Sequence, residues 1–144
     1  MRMKKSRLTS DYPIDFELIG IVSSAREYKL AWHINQLEDI HLVKSEDLKI
    51  DFADNRQIRA SSMTDEGDYY KVCLIKNRLV SSNVVGNQHL VSELQQFDYL
   101  LKITNQTKEN WAKTLVLDLK QLPVIDYCVQ IDVERVKMKD NLLF

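Results

Sequence analysis

Leu48-Lys49-Ile50-Asp51-Phe52, Gln57-Ile58-Arg59-Ala60-Ser61-Ser62-Met63 and Tyr69-Tyr70-Lys71-Val72-Cys73-Leu74-Ile75-Lys76 are three short runs in close succession. Ala53-Asp54-Asn55 and the acidic, glycine-containing Asp65-Glu66-Gly67-Asp68 separate them. Runs rich in branched and aromatic residues, broken by turn formers, predict an antiparallel meander. Upstream, Ile14 to Val22 reads as another strand, and Ser23-Ser24 as the cap of a helix that begins at Ala25. Between Ala25 and Ile40, Leu30, Ile34 and Leu37 recur at i, i+4 and i+7 with Ala31 beside them, which makes one apolar stripe facing the sheet. Downstream, Leu79 to Val85 is a further run that ends at Gly86-Asn87. From Phe97 to Ile103, Tyr99, Leu101 and Ile103 alternate with Asp98, Leu100 and Lys102, the period of a strand. Trp111, Leu115, Leu119 and Leu122 share a helical face, Pro123 stops that helix, and Val124 to Val133 resumes strand character. The order is β-α-β-β-β-(β)-α-β. Helices at both ends of a meander cannot all be crossovers, so the expected class is α+β, with two helices packed on one mostly antiparallel sheet.

The chain of 144 residues suits one domain. The expected boundaries are a flexible basic N-terminal segment at 1–13, a single α+β domain at 14–133 and a loose tail at 134–144. With 44% hydrophobic and 28% charged residues, the composition is that of a packed protein with a sizeable core. Twenty basic against twenty-one acidic side chains give a formal charge of -1, so no global field recruits nucleic acid, anionic lipid or an acidic substrate. Arg2, Lys4, Lys5 and Arg7 are not followed by the apolar stretch of an export signal, and no window is apolar enough to span a bilayer. A cytoplasmic protein is expected. Cys73 and Cys128 have neither zinc-site spacing nor a nearby histidine, and both read as small buried apolar groups.

Several chemistries lack their residues. His33, His41 and His89 accompany no recognisable nucleophile, and His33 and His41 are not at the helical spacing that joins two ligands on one metal. His41, just past the first helix, suits a capping or surface role. Gly20, Gly67 and Gly86 are isolated, which excludes a glycine-rich phosphate cradle. Four apolar-Asp-aromatic steps, at Asp15, Asp51, Asp98 and Asp126, raise the question of a cation site, but without calcium-loop spacing the better reading is four solvated carboxylates. No catalytic set, metal site or cofactor is expected.

Tyr28 and Trp32, at i and i+4 on the first helix, lie opposite the Leu30-Ile34-Leu37 stripe and should pair on its outer face, flanked by Lys29 and Gln36. If that face is open, the pair is an anchor for a partner, because aromatic side chains are enriched at interface hot spots. If a loop or the tail covers it, the pair is core.

Val91-Ser92-Glu93-Leu94-Gln95-Gln96-Phe97-Asp98-Tyr99 resembles the signature of the bacterial IPExxxVDY family. Glu93, Asp98 and Tyr99 coincide with the motif, Val91 and Phe97 are apolar replacements, and Ser92 stands where the family has proline. Asp15 to Ile21 and Tyr28 to Trp32 also resemble the family's opening strand and helix. The resemblance implies a small cytoplasmic protein without an assigned activity, encoded near ribonuclease III, fatty-acid synthesis proteins and pyruvate kinase. The leading expectation is a non-enzymatic module that binds a protein partner, or a second copy of itself, through Tyr28 and Trp32 or an exposed sheet edge. One alternative is an RNA-associated factor acting through the basic N-terminus, near ribonuclease III or the ribosome. Another is a small-molecule site near Glu93, Asp98 and Tyr99, where Glu93 otherwise ends a short turn and Asp98 and Tyr99 begin a strand with Tyr99 facing the core.

Overall fold

A computed structural model describes residues 15–37, 40–52, 54–84, 86, 88–106 and 110–144. The elements are β1 (Phe16–Val22), α1 (Glu27–Ile34), β2 (Val43–Lys44), β3 (Leu48–Asp51), β4 (Gln57–Ala60), β5 (Ser62–Glu66), β6 (Tyr70–Lys76), β7 (Ser81–Ser82), β8 (Tyr99–Asn105), α2 (Trp111–Leu119) and β9 (Tyr127–Ile131). Short 3-10 turns occupy Ser92–Leu94, Val133–Arg135 and Lys139–Leu142. The class is α+β as expected, but the strands form two sheets. A six-stranded sheet runs β2-β5-β6-β8-β1-β9 and a three-stranded one runs β3-β4-β7, and every described pairing is antiparallel.

The division falls inside the run read as one strand from Gln57 to Met63. Ile58 pairs with Ser82 in the small sheet, whereas Ser62 pairs with Ile75 in the large one. Ser61 is the crossing point, and its carbonyl accepts from Lys76 N at 3.0 Å. Alternation of side chains continues through such a crossing, so only the tertiary partners reveal it. The strand expected from Leu79 to Val85 shrinks to Ser81–Ser82 because the chain turns away after Ser82, whose Oγ accepts from Val84 N, while the Asn83 carboxamide takes Gln57 N in place of a main-chain carbonyl. The edge strand β2 had no counterpart in the expected order.

The large sheet is covered on both faces, which is why β1, β6 and β8 are apolar almost without interruption. On one face, Ile19, Ile21, Val72, Leu74, Tyr99, Leu101 and Ile103 meet Leu30, Ala31 and Ile34 of α1 and Ala112, Leu115, Val116 and Leu119 of α2. On the other, Leu18, Cys73, Ile75 and Leu100 meet Ile58 and Ala60 of β4, together with Leu94, Phe97, Val133, Val136 and Leu142. The C-terminal residues expected to be a loose tail are therefore part of the second core, with Leu142 fully buried. Since β8 and β9 both run antiparallel to β1 and flank it, β8-α2-β9 is a crossover that skips one strand. Gly20, on β1, lies under the Phe97 ring so closely that an added Cβ would stand 2.6 Å from Phe97 Cδ1.

Both helices are shorter than the sequence pattern. α1 runs Glu27–Ile34 rather than from Ala25 to Ile40, and α2 ends at Leu119, before Leu122 and Pro123. Ser23-Ser24 do not cap α1, whose N-cap residue is Arg26 with no side-chain bond. Ser23 is buried and committed elsewhere: its hydroxyl donates to Val124 O at 2.6 Å and accepts from Ala25 N at 3.1 Å. His41 lies well past the end of α1, so it does not cap that helix; its backbone N–H donates to Asp65 Oδ2.

Lys102 is the one buried cation described. It lies on the β8 face opposite the helices and is 7% exposed. Its Nζ donates to Phe144 O at 3.0 Å and sits 4.8 Å from the centre of the Phe16 ring and 4.0 Å from that of Phe144. Ring faces attract a cation, yet burial dominates and pushes the ammonium down to about 8.

Candidate functional site

The stretch that carries the family resemblance forms a tethered loop between β7 and β8. Asn77, immediately after β6 and completely buried, organises it. Asn77 Nδ2 donates to Leu94 O at 3.0 Å, Phe97 O at 3.1 Å and Val91 O at 3.4 Å, while Oδ1 accepts from Val91 N at 3.0 Å. A carboxamide supplies donors and an acceptor on one planar group, so one side chain closes the turn that a proline would otherwise stiffen. Nothing in the sequence around Asn77 marks it, and it was not among the expected site residues.

Glu93, Asp98 and Tyr99 do not form one constellation. Glu93 sits in the Ser92–Leu94 turn, and its Oε1 accepts from Met138 N at 2.6 Å, which ties the C-terminal segment to the loop. Asp98 Oδ2 accepts from Ser23 N at 2.9 Å. Tyr99 begins β8 facing the helices, as expected, and its hydroxyl donates to Ala25 O at 2.7 Å. Burial, then the negative charges of Glu27 and Asp98, push the phenol up to about 12, so it stays a hydrogen-bond donor throughout the physiological range. All three residues hold segments together.

Asp98 and Tyr99 nevertheless share a cleft of about 280 Å³ at one end of the large sheet. It is lined by Ser23 to Arg26, between β1 and α1, by Lys76 at the end of β6 and Arg78 just beyond it, and by His89, Gln95 and Phe97. The exposed carboxylates of Asp15, Asp51 and Asp126 are not part of it, and among the described residues no group of three or more His, Cys, Asp or Glu side chains could hold a metal ion. Cys73 and Cys128 are buried, and burial raises both thiols above their ordinary value, which keeps them protonated.

On α1 the outward side chains are as the stripe required. Tyr28 is 69% exposed and Trp32 59%, so neither a loop nor the C-terminal segment covers them. The indole makes an edge-on contact with His33 at 4.9 Å between ring centres, and Gln36 Nε2 donates to Trp32 O. This contact replaces the expected Tyr28–Trp32 stack and leaves the outer face of Trp32 open. Tyr127, on the edge strand β9, is also exposed. The basic residues at 2–7 lie outside the described residues. No described helix is long and apolar enough to cross a membrane. Comparison with family models, with curated proteins and with solved structures returns no match to this chain.

Proposed function

We propose that this protein is a non-enzymatic binding module of the bacterial cytoplasm, related to the IPExxxVDY proteins, that docks a protein partner on the outer face of α1. The observation that carries this reading is the exposure of Tyr28 and Trp32, at 69% and 59%, on a helix whose opposite stripe of Leu30, Ala31 and Ile34 is completely buried. Two large aromatic rings left in water on an otherwise ordinary amphipathic helix contribute nothing to the core, and such residues dominate binding energy when a partner desolvates them. The commitment of Glu93, Asp98 and Tyr99 to tethers agrees with a scaffold that presents a surface rather than one that turns over a substrate.

The test is affinity purification from a bacterial lysate with nuclease present, comparing the unmodified chain with Tyr28→Ala/Trp32→Ala. The double variant is expected to fold with stability within about 0.5 kcal/mol of the parent, as for other exposed sites. It should lose the captured protein, or the self-association seen by sedimentation if the partner is a second copy. Capture that persists in the variant, or that nuclease abolishes, defeats the reading.

A further inference from the structure

The cleft at the end of the large sheet breaks the usual rules of a helix start. Ncap positions favour Ser, Thr, Asp or Asn, whose oxygens satisfy the first backbone N–H groups, and cations are disfavoured beside the positive end of the helix dipole. Here the residue is Arg26, and no side chain caps the helix. Two more cationic residues, Lys76 and Arg78, line the same cleft. Among the described residues, Arg26, Lys76 and Arg78 have no carboxylate ion pair, while Lys44, Arg56 and Arg135 do. Arg78 is steered by Gln88, whose Oε1 accepts from Nη2 at 2.8 Å, so its guanidinium retains further donors. The single carboxylate of the cleft, Asp98, already receives Ser23 N.

Among the residues lining the cleft, three cations against one acid leave an excess of two positive charges; Glu27, beside Arg26, is held by Lys44 and Ser61. Like charges repel unless an anion joins them, and the excess matches the charge of a phosphomonoester dianion, whose oxygens accept the paired N–H groups of guanidinium. The volume, about 280 Å³, is just below that of drug-sized pockets, which suits a phosphate on a small organic body. We propose that the cleft binds a small phosphorylated metabolite, with Arg26, Lys76 and Arg78 holding its phosphate. This site is separate in residues from Tyr28 and Trp32, and its fate is independent of the docking surface.

The experiment is a titration of the isotopically labelled full chain with inorganic phosphate and with free O-phosphoserine, followed by backbone amide NMR. Saturable shifts are expected at Ser24 to Glu27 and at Lys76 to Arg78, with half-saturation near or below about 1 mM. Arg26→Gln/Arg78→Gln should weaken binding at least tenfold, because each removes a charge-assisted contact. Lys49→Gln, at an exposed position of the small sheet, should leave it unchanged. Acetate should bind at least tenfold more weakly. A phosphoserine peptide is expected to bind no better than the free amino acid, and one that binds more than tenfold tighter overturns the small-ligand assignment. Shifts that do not saturate, that spread over the other lysines, or that survive in the double variant overturn the site itself.

Discussion

Replacing Lys102 with methionine should make this protein more stable. The ammonium lies between two phenylalanine rings with one main-chain oxygen as its hydrogen-bond acceptor. Desolvation lowers its pKa from 10.5 to about 8, only partly opposed by the negative charge of Asp15. A drop of that size means that folding disfavours the charged form by roughly 3 kcal/mol at neutral pH. Methionine keeps the unbranched stem and offers sulfur to the same two rings, while Phe144 is exposed enough for water to take over its oxygen. Allowing for the lost cation–ring attraction, Lys102→Met is expected to gain about 1–2 kcal/mol at pH 7. The pH dependence is the sharper test. Between pH 8 and 10.5 the unfolded chain holds this proton more tightly than the folded one, so the parent gains stability as pH rises through that interval and the variant does not. The gap should therefore close by about 1 kcal/mol from pH 7 to pH 9. The raised thiols of Cys73 and Cys128 act in the opposite direction above pH 9, but both chains carry them. Urea unfolding at pH 7, 8 and 9, followed by tryptophan fluorescence, measures the gap. A variant less stable than the parent at pH 7, or a gap that stays constant to pH 9, refutes the reasoning.

Asn77→Ala should cost roughly 3 kcal/mol or more, since it leaves several buried main-chain groups without their partner. Hydrogen exchange should show the loss first at Val91, whose N–H bonds the Asn77 carboxamide. Gly20→Ala drives a methyl group against Phe97 and should cost about 1–3 kcal/mol. Adding Phe97→Leu should recover part of that loss in urea unfolding; equal or greater loss in the double variant would count against the close approach as the cause.

The central strands were legible because burial on both faces leaves an unmistakable apolar run, as at Leu18 to Ile21 and Val72 to Ile75. The stripe of α1 and its outward aromatics were legible from helical spacing alone. The split at Ser61 was not, because side-chain alternation is blind to which sheet supplies the partner. Strands of two residues, such as β2 and β7, are too short to show an alternation. Val136 and Leu142 looked like a tail because they are few and interspersed with charges, yet both pack into the core on the face that β4 only partly covers. The candidate cleft was half visible: Asp98 and Tyr99 stood out, whereas Arg26 is distant in sequence from Lys76 and Arg78 and lines the same cleft only in the folded chain.

The place of β1 in the sheet has a consequence for biosynthesis. Of the described strands, β1 is made first, and it finds both of its neighbours, β8 and β9, only after all the intervening elements have been synthesised, as in the bond between Ser23 and Val124 across 101 residues. Until then its two edges and both of its greasy faces are unsatisfied, a state that invites pairing between nascent copies. Closure of the large sheet around β1 is thus a late step of folding, one that long-range pairing makes slow.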